Sequence, residues 1–182
     1  LYGGPDYLTN QINSSTEAVA QAGSTYKPFA LIAGLEGGLT LANGYQGVSP
    51  MDVEGTTFRN FQNAQFSWAD LITATTYSVN MPYVQLNRDV GPDTTNEVAQ
   101  RAGYPEDTIG MESNIQNVLG SASPHTLDIA TAYATFASQG TRRDTHIVSS
   151  VANNSGSVSY TPSTDGDKVF DDGVMADSTY AM

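Results

Sequence analysis

Gly23-Ser24-Thr25-Tyr26-Lys27-Pro28-Phe29-Ala30-Leu31-Ile32-Ala33-Gly34-Leu35-Glu36-Gly37-Gly38 is apolar almost all round from Phe29 onward. A helix of that composition has no face for water and belongs inside a core. Proline fits only the first turn of a helix, so Pro28 places the start near Ser24 or Thr25. Gly37-Gly38 ends it. Ser24 and Lys27 are three residues apart at its start, which puts their side chains on one face.

Outward from this helix the pattern is mixed. Residues 5–23 are polar and turn-rich, with a short helical hint at Ala18, Val19, Ala20 and Ala22. Leu1-Tyr2-Gly3-Gly4 reads as a strand end, and the expectation is a chain excised from something longer. Residues 39–66 have no clean period and are expected to form an extended surface loop. Ser67-Trp68-Ala69-Asp70 resembles a capping box opening a helix through Leu71, Ile72, Ala74 and Thr75 that stops near Tyr77. Pro82 suits the first turn of the next helix, which carries Val84, Leu86 and Val90 and ends at Gly91-Pro92. Asp93 is expected to cap a helix over 94–102, closed by Gly103.

Ser123-Pro124 is expected to start the clearest helix. Leu127, Ala130, Tyr133, Ala134, Phe136 and Ala137 share its face, and Gly140 follows its end. Residues 145–152 and 157–161 alternate and are β-branched, so Asn153-Asn154-Ser155-Gly156 marks a hairpin. The acidic tail carries a short helix over 173–182. A lone hairpin is marginal, so these strands are expected to belong to a larger sheet that is incomplete here. The fold class is α+β.

Bulk properties exclude several functions. The 182 residues suit one domain or most of one, and 39% hydrophobic residues suffice for a core. A net charge of −12 argues against nucleic acid and against a basic membrane-binding face. The absence of cysteine removes disulfides and thiolate chemistry. No apolar run reaches the roughly 18 residues that span a bilayer. His125, in a first helical turn, and His146, in a strand, are too far apart to suggest a metal pair. Asp165, Asp167, Asp171 and Asp172 lack the spacing of a calcium loop and read as a solvated tail.

Ser24 and Lys27 are the first chemical candidates. Serine is a weak nucleophile until a base takes its proton. Lysine can be that base when burial or nearby cations lower its pKa. The chain has only two lysines, and Lys27 leads straight into an apolar helix. The same pair also suits a helix cap followed by a first-turn surface lysine. Tyr77-Ser78-Val79-Asn80 lies between two expected helices. Ser78 is placed to relay a proton, and Asn80 to hold the lysine and a substrate carbonyl through its two-sided amide. Ordinary helix-end chemistry would use the same residues.

Taken together, these segments resemble the penicillin-binding proteins. Gly23-Ser24-Thr25-Tyr26-Lys27-Pro28-Phe29 is similar to their Ser-x-x-Lys box. Tyr77-Ser78-Val79-Asn80-Met81-Pro82-Tyr83-Val84-Gln85-Leu86 is similar to their Ser-x-Asn box and the helix after it. Tyr2-Gly3-Gly4-Pro5-Asp6-Tyr7, Leu119-Gly120-Ser121 and Ala132-Tyr133-Ala134-Thr135-Phe136-Ala137 resemble the bifunctional, class A type. The resemblance implies the penicillin-binding and serine β-lactamase-like transpeptidase fold, with residues 1–182 a partial transpeptidase domain.

It further implies a D,D-transpeptidase acting on D-Ala-D-Ala stem peptides of peptidoglycan. Ser24 would be the acylated nucleophile, Lys27 the base, Ser78 the relay and Asn80 a substrate-binding residue. β-Lactams would acylate Ser24, and no metal or organic cofactor is implied. The implied location is extracytoplasmic, with a membrane anchor only in the parent protein. The family's third box, Lys-[Ser/Thr]-Gly, has no match, because Lys168 is followed by Val169-Phe170. Tyr180-Ala181-Met182 resembles the segment before that box, so the chain is expected to stop short of it and to be impaired alone. A serine β-lactamase would need a Glu-x-x-Leu-Asn base, and Tyr83 stands where that Glu would be. A non-catalytic sensor or cell-wall scaffold is the alternative from another class.

Overall fold

The structure is a computed structural model that describes residues 5–182. The expected strand end at residues 1–4 lies outside the described residues. A 3₁₀ turn, Gly23–Tyr26, runs into helix α1, Lys27–Glu36. Pro28 occupies its first turn and Gly37 caps its end. Every α1 residue from Lys27 to Leu35 is buried. The all-round apolar pattern therefore does mark a central helix.

Helices α2 (Leu71–Thr76), α3 (Asn80–Val90), α4 (Pro92–Ala102), α5 (Thr126–Ala137) and α6 (Asp172–Ala181) complete the helical set. One side of α1, through Phe29, Ile32 and Ala33, together with Tyr26 of the turn before it, packs on Val98, Ala99 and Ala102 of α4 and on Phe136 of α5. The other side, through Ala30, Leu31 and Leu35, packs on Leu71 and Ala74 of α2 and on Tyr83, Val84 and Leu86 of α3. Fully burying a side chain such as Leu31 or Phe29 contributes about 1.5–3 kcal/mol. α6 lies against α1 as well, burying Met175, Ser178 and Ala181.

The strands form four separate antiparallel pairs among the described residues. β1 (Gly44–Gln46) pairs with β4 (Trp68–Asp70), and β2 (Met51–Val53) with β3 (Thr56–Phe58). β5 (Thr141–Arg142) pairs with β8 (Asp167–Lys168), and β6 (Val151–Ala152) with β7 (Val158–Tyr160).

Several expectations need correction. Residues 39–66 are not a featureless loop, since they hold β1, β2 and β3. Glu54 and Gly55, both at positive φ, make the tight turn between β2 and β3. Ser67 does not cap α2. Asp70 does, accepting a hydrogen bond from the Thr73 N–H at 2.7 Å. α3 begins at Asn80, so Asn80 is a helical residue and not part of the turn.

α4 begins at Pro92 after Gly91, which leaves Asp93 inside the first turn. α5 begins at Thr126 with His125 as its N-cap residue. The Asp128 carboxylate accepts the His125 backbone N–H at 2.9 Å. His146 is not in a strand, and the hairpin is confined to Val151–Ala152 and Val158–Tyr160. Val19 is extended, forming an isolated bridge with His125. The acidic tail is partly ordered by β8, whose strand carries Asp167, and by α6.

Candidate active site

The 3₁₀ turn at the head of α1 projects Ser24 into solvent while burying Lys27, which is 3% exposed. Neither the turn nor α1 has a side-chain cap. The helix-cap reading of Ser24 therefore fails, and its hydroxyl is engaged elsewhere. The Lys27 Nζ lies 3.1 Å from Ser24 Oγ. It lies 2.6 Å from the Ser78 carbonyl oxygen, 2.9 Å from Ser78 Oγ and 2.8 Å from Asn80 Oδ1. All four residues singled out from the sequence thus meet at one nitrogen. Burial lowers the Lys27 pKa from 10.5 to about 8, because the charged form loses its water.

The acceptor types matter. The Ser78 carbonyl and Asn80 Oδ1 can only accept, whereas both hydroxyls can donate or accept. An ammonium has three protons for these four partners. A neutral amine gives its two protons to the obligate acceptors and turns its lone pair towards the hydroxyls.

Local folding explains how two distant segments converge. α2 stops at Thr76, and Ser78 then adopts φ +51. That left-handed backbone costs a non-glycine residue about 1–2 kcal/mol. It turns the chain so that both the carbonyl and the hydroxyl of Ser78 reach Lys27. Asn80, in the first turn of α3, donates its Nδ2 to the Arg59 carbonyl at 2.9 Å. That contact leaves Oδ1 as the atom facing Lys27.

The surrounding cleft has a volume of about 320 Å³, and its walls include Ser24, Lys27, Thr75, Ser78, Tyr133 and Met182. Tyr83 is fully buried beside it, with its hydroxyl 2.7 Å from Thr75 Oγ1, and burial raises its pKa. Tyr133 donates its hydroxyl to the Thr25 carbonyl at 3.0 Å, tying α5 to the turn that carries Ser24. The Ser24 N–H has no acceptor among the described residues.

Behind the site runs a buried polar network that sequence reading missed. Tyr26 donates to Asn96 Oδ1 at 2.7 Å, and Asn117 Nδ2 reaches the same atom at 2.9 Å. Asn87 Nδ2 donates to Asn117 Oδ1 at 2.8 Å, and Thr95 Oγ1 to Asn87 Oδ1 at 2.7 Å. Asn87 carried a usable signal, because it falls one helical turn after Tyr83 on an apolar face. Asn117 leads into Gly120, whose carbonyl accepts the Gly23 N–H at 3.1 Å. Gly120 is left-handed at φ +82, and any Cβ there would collide with the Gly23 backbone. The residue before Ser24 is therefore fixed by a contact that only glycine permits.

The other residues considered do not join this site. His125 sits at the head of α5, and His146 is exposed on a separate loop. No group of metal-binding side chains occurs among the described residues. No described helix is long and apolar enough to cross a membrane.

Comparison with known proteins identifies the family. The family model for the penicillin-binding protein transpeptidase domain matches residues 1–182. The penicillin-binding protein 1A of Mycolicibacterium smegmatis is 32% identical over 197 residues, covering 100% of this chain and 24% of that relative. The chain thus spans about a quarter of that relative's length. The penicillin-binding protein PonA1 of Mycobacterium tuberculosis superposes with a TM-score of 0.89 at 28% identity, over 100% of this chain and 50% of that one. Its complex with penicillin V gives 0.87 at 30% identity over the same shares. The relatives carry the type 1A name, in keeping with the resemblance to the bifunctional type, and the fold is that of their transpeptidase domains. Its two matching boxes, its fold and the match along its whole length together show that this chain belongs to the penicillin-binding protein transpeptidase domain family.

Proposed function

We propose that the chain provides the nucleophile, base and relay of a peptidoglycan D,D-transpeptidase. The observation that carries this reading is the Lys27 amine, buried and within 3.1 Å of both Ser24 Oγ and Ser78 Oγ. Its neutral form takes the proton of Ser24 as Oγ attacks the carbonyl between the two D-alanines. The Ser24 N–H donates to the oxyanion that forms. As the C–N bond breaks, the departing D-Ala amine gains a proton through Ser78 from the Lys27 ammonium. An amine of a second stem peptide then attacks the ester and passes a proton through Ser78 to Lys27, which returns it to Ser24 Oγ as the ester C–O bond breaks and the new amide forms. Asn80 holds the lysine and binds the substrate amide.

A β-lactam forms the same ester with its opened ring still attached. The complex of the Mycobacterium tuberculosis relative with penicillin V supports this extension to the present chain. The site is assigned to the outer side of the cell membrane, where peptidoglycan lies, with the anchor in the parent protein. No cofactor enters the chemistry.

The sequence has no Lys-[Ser/Thr]-Gly, and one oxyanion donor is accounted for here. We assign residues 1–182 to a partial transpeptidase domain whose parent supplies the third box. Losing one such donor lowers rates by about 10²–10³-fold. The test is labelling with a fluorescent penicillin. A parent protein holding this chain and the third box should label at Ser24, and Ser24→Ala should not. Equal labelling of Ser24→Ala refutes the site. Full-rate labelling of the isolated 182 residues refutes the claim that it is impaired.

A further inference from the structure

Asn60 lies on the loop between β3 and β4 and makes no hydrogen bond with Lys27, Ser24 or Ser78. It is nevertheless 4% exposed, and its polar atoms are engaged. Its Nδ2 donates to the Gly47 carbonyl at 2.7 Å and to the Ala64 carbonyl at 2.8 Å. Its Oδ1 accepts the Met81 N–H at 3.0 Å, and its own N–H donates to Ser49 Oγ at 2.9 Å. Gln62 and Asn63 both take positive φ, closing residues 60–64 into a tight coil around this side chain.

Two consequences meet at the active site. First, α3 has no side-chain cap of its own, since its N-cap is Val79. Asn60 fills that role from outside the helix by accepting the Met81 N–H, which anchors the first turn of α3. Second, the residue before Asn60 is Arg59, whose carbonyl accepts Asn80 Nδ2. A side-chain amide can face either way, and this carbonyl decides the matter. It takes the NH₂ group and leaves Oδ1 for Lys27. In the reverse orientation Asn80 would present a donor to an amine whose protons already seek acceptors.

We infer that Asn60 is a positioning residue of the transpeptidase site, holding the Arg59 carbonyl and the head of α3 so that Asn80 presents its oxygen to Lys27. This rests on the reading of Ser24 and Lys27 given above. The role belongs to a backbone carbonyl that no side-chain replacement can delete, and Asn60 is the side chain through which it can be disturbed.

The test is a double-mutant cycle on β-lactam acylation in the full-length protein, separating the binding step from the acylation rate constant. Asn60→Ala should slow acylation about 10–100-fold, the scale of a misplaced catalytic group. The binding step, to which Asn80 also contributes, should weaken by less than the acylation rate constant falls. Because Asn60 acts through Asn80, the Asn60→Ala/Asn80→Ala protein should acylate no more slowly than Asn80→Ala alone. Effects that multiply in the double variant overturn the inference. If Asn60→Ala does not fold, Ser49→Ala substitutes for it, since it removes only the acceptor of the Asn60 N–H. It should slow acylation about two- to tenfold and show the same loss of effect beside Asn80→Ala. Labelling that survives Ser24→Ala would instead refute the site itself, an outcome separate from either result.

Discussion

Residues 26–36 and residues 150–160 both carry large apolar side chains, yet they end in opposite environments. Tyr26, Phe29, Leu31 and Ile32 are fully buried in and beside α1. Val151, Val158 and Tyr160 of the β6–β7 hairpin stay 47%, 63% and 49% exposed. The first stretch is the richer in apolar residues, but what buries its large side chains is the set of partners around it. α1 has α3, α4 and α6 packed around it, while among the described residues β6 and β7 pair only with each other. A two-stranded ribbon is marginal by itself, and one with no partner face gains little from its valines. The proposed chemistry sits in the region where packing, hydrogen bonds and a glycine contact all fix the same turn.

That contrast can be broken by experiment. The largest effect should come from Lys27→Ala, which removes the proposed base and should slow acylation by about 10²–10⁴-fold. In the unmutated protein the acylation rate should rise with pH through about 8, as Lys27 loses its proton. Stability carries the same signature. The unfolded chain holds the Lys27 proton more tightly than the folded one, so the group's contribution rises between pH 8 and 10.5 and is lost as pH falls through that window. Urea midpoints of wild type against Lys27→Met across this range check the sign.

Next in size is Phe29→Ala, which should destabilise by about 3–5 kcal/mol, because Tyr26, Tyr104 and Phe136 close around that ring. Asn117→Ala should cost about 1–3 kcal/mol, since it removes one of the two acceptors of Asn87 Nδ2 and the donor to the Pro92 carbonyl and Asn96 Oδ1. Its acylation rate should fall too, through the loop that seats Gly23. Val158→Ala should be smallest, within about 0.5 kcal/mol by chemical denaturation. A large loss there would mean that the hairpin is covered in solution, and the comparison would then need redrawing.

How much of this was legible in the sequence follows from the same division. α1 was readable because its composition leaves no solvent face and Pro28 and Gly37 mark its ends. The convergence of Ser24, Lys27, Ser78 and Asn80 was readable through the paired boxes. The β2–β3 hairpin escaped because glutamate rarely occupies a left-handed turn position, so Glu54-Gly55 lacks the Asn-Gly mark. Asn60 escaped because nothing local distinguishes a polar residue that ends up buried from one in a solvated loop. Its role depends on Gly47, Ala64 and Met81, and only the fold assembles those partners. His146 was misplaced because the β-branched alternation over 145–150 has no strand to pair with among the described residues.

Ser78 has a further implication. Its left-handed backbone would suit glycine better than any residue with a Cβ. Ser78→Gly should therefore raise the melting temperature while abolishing the hydroxyl that contacts Lys27. Robustness and turnover would move in opposite directions at one position. A stability screen blind to activity would select glycine there, and a screen for activity would keep the strained serine. The conflict between the two screens would mark position 78 as functional without any assay of its mechanism.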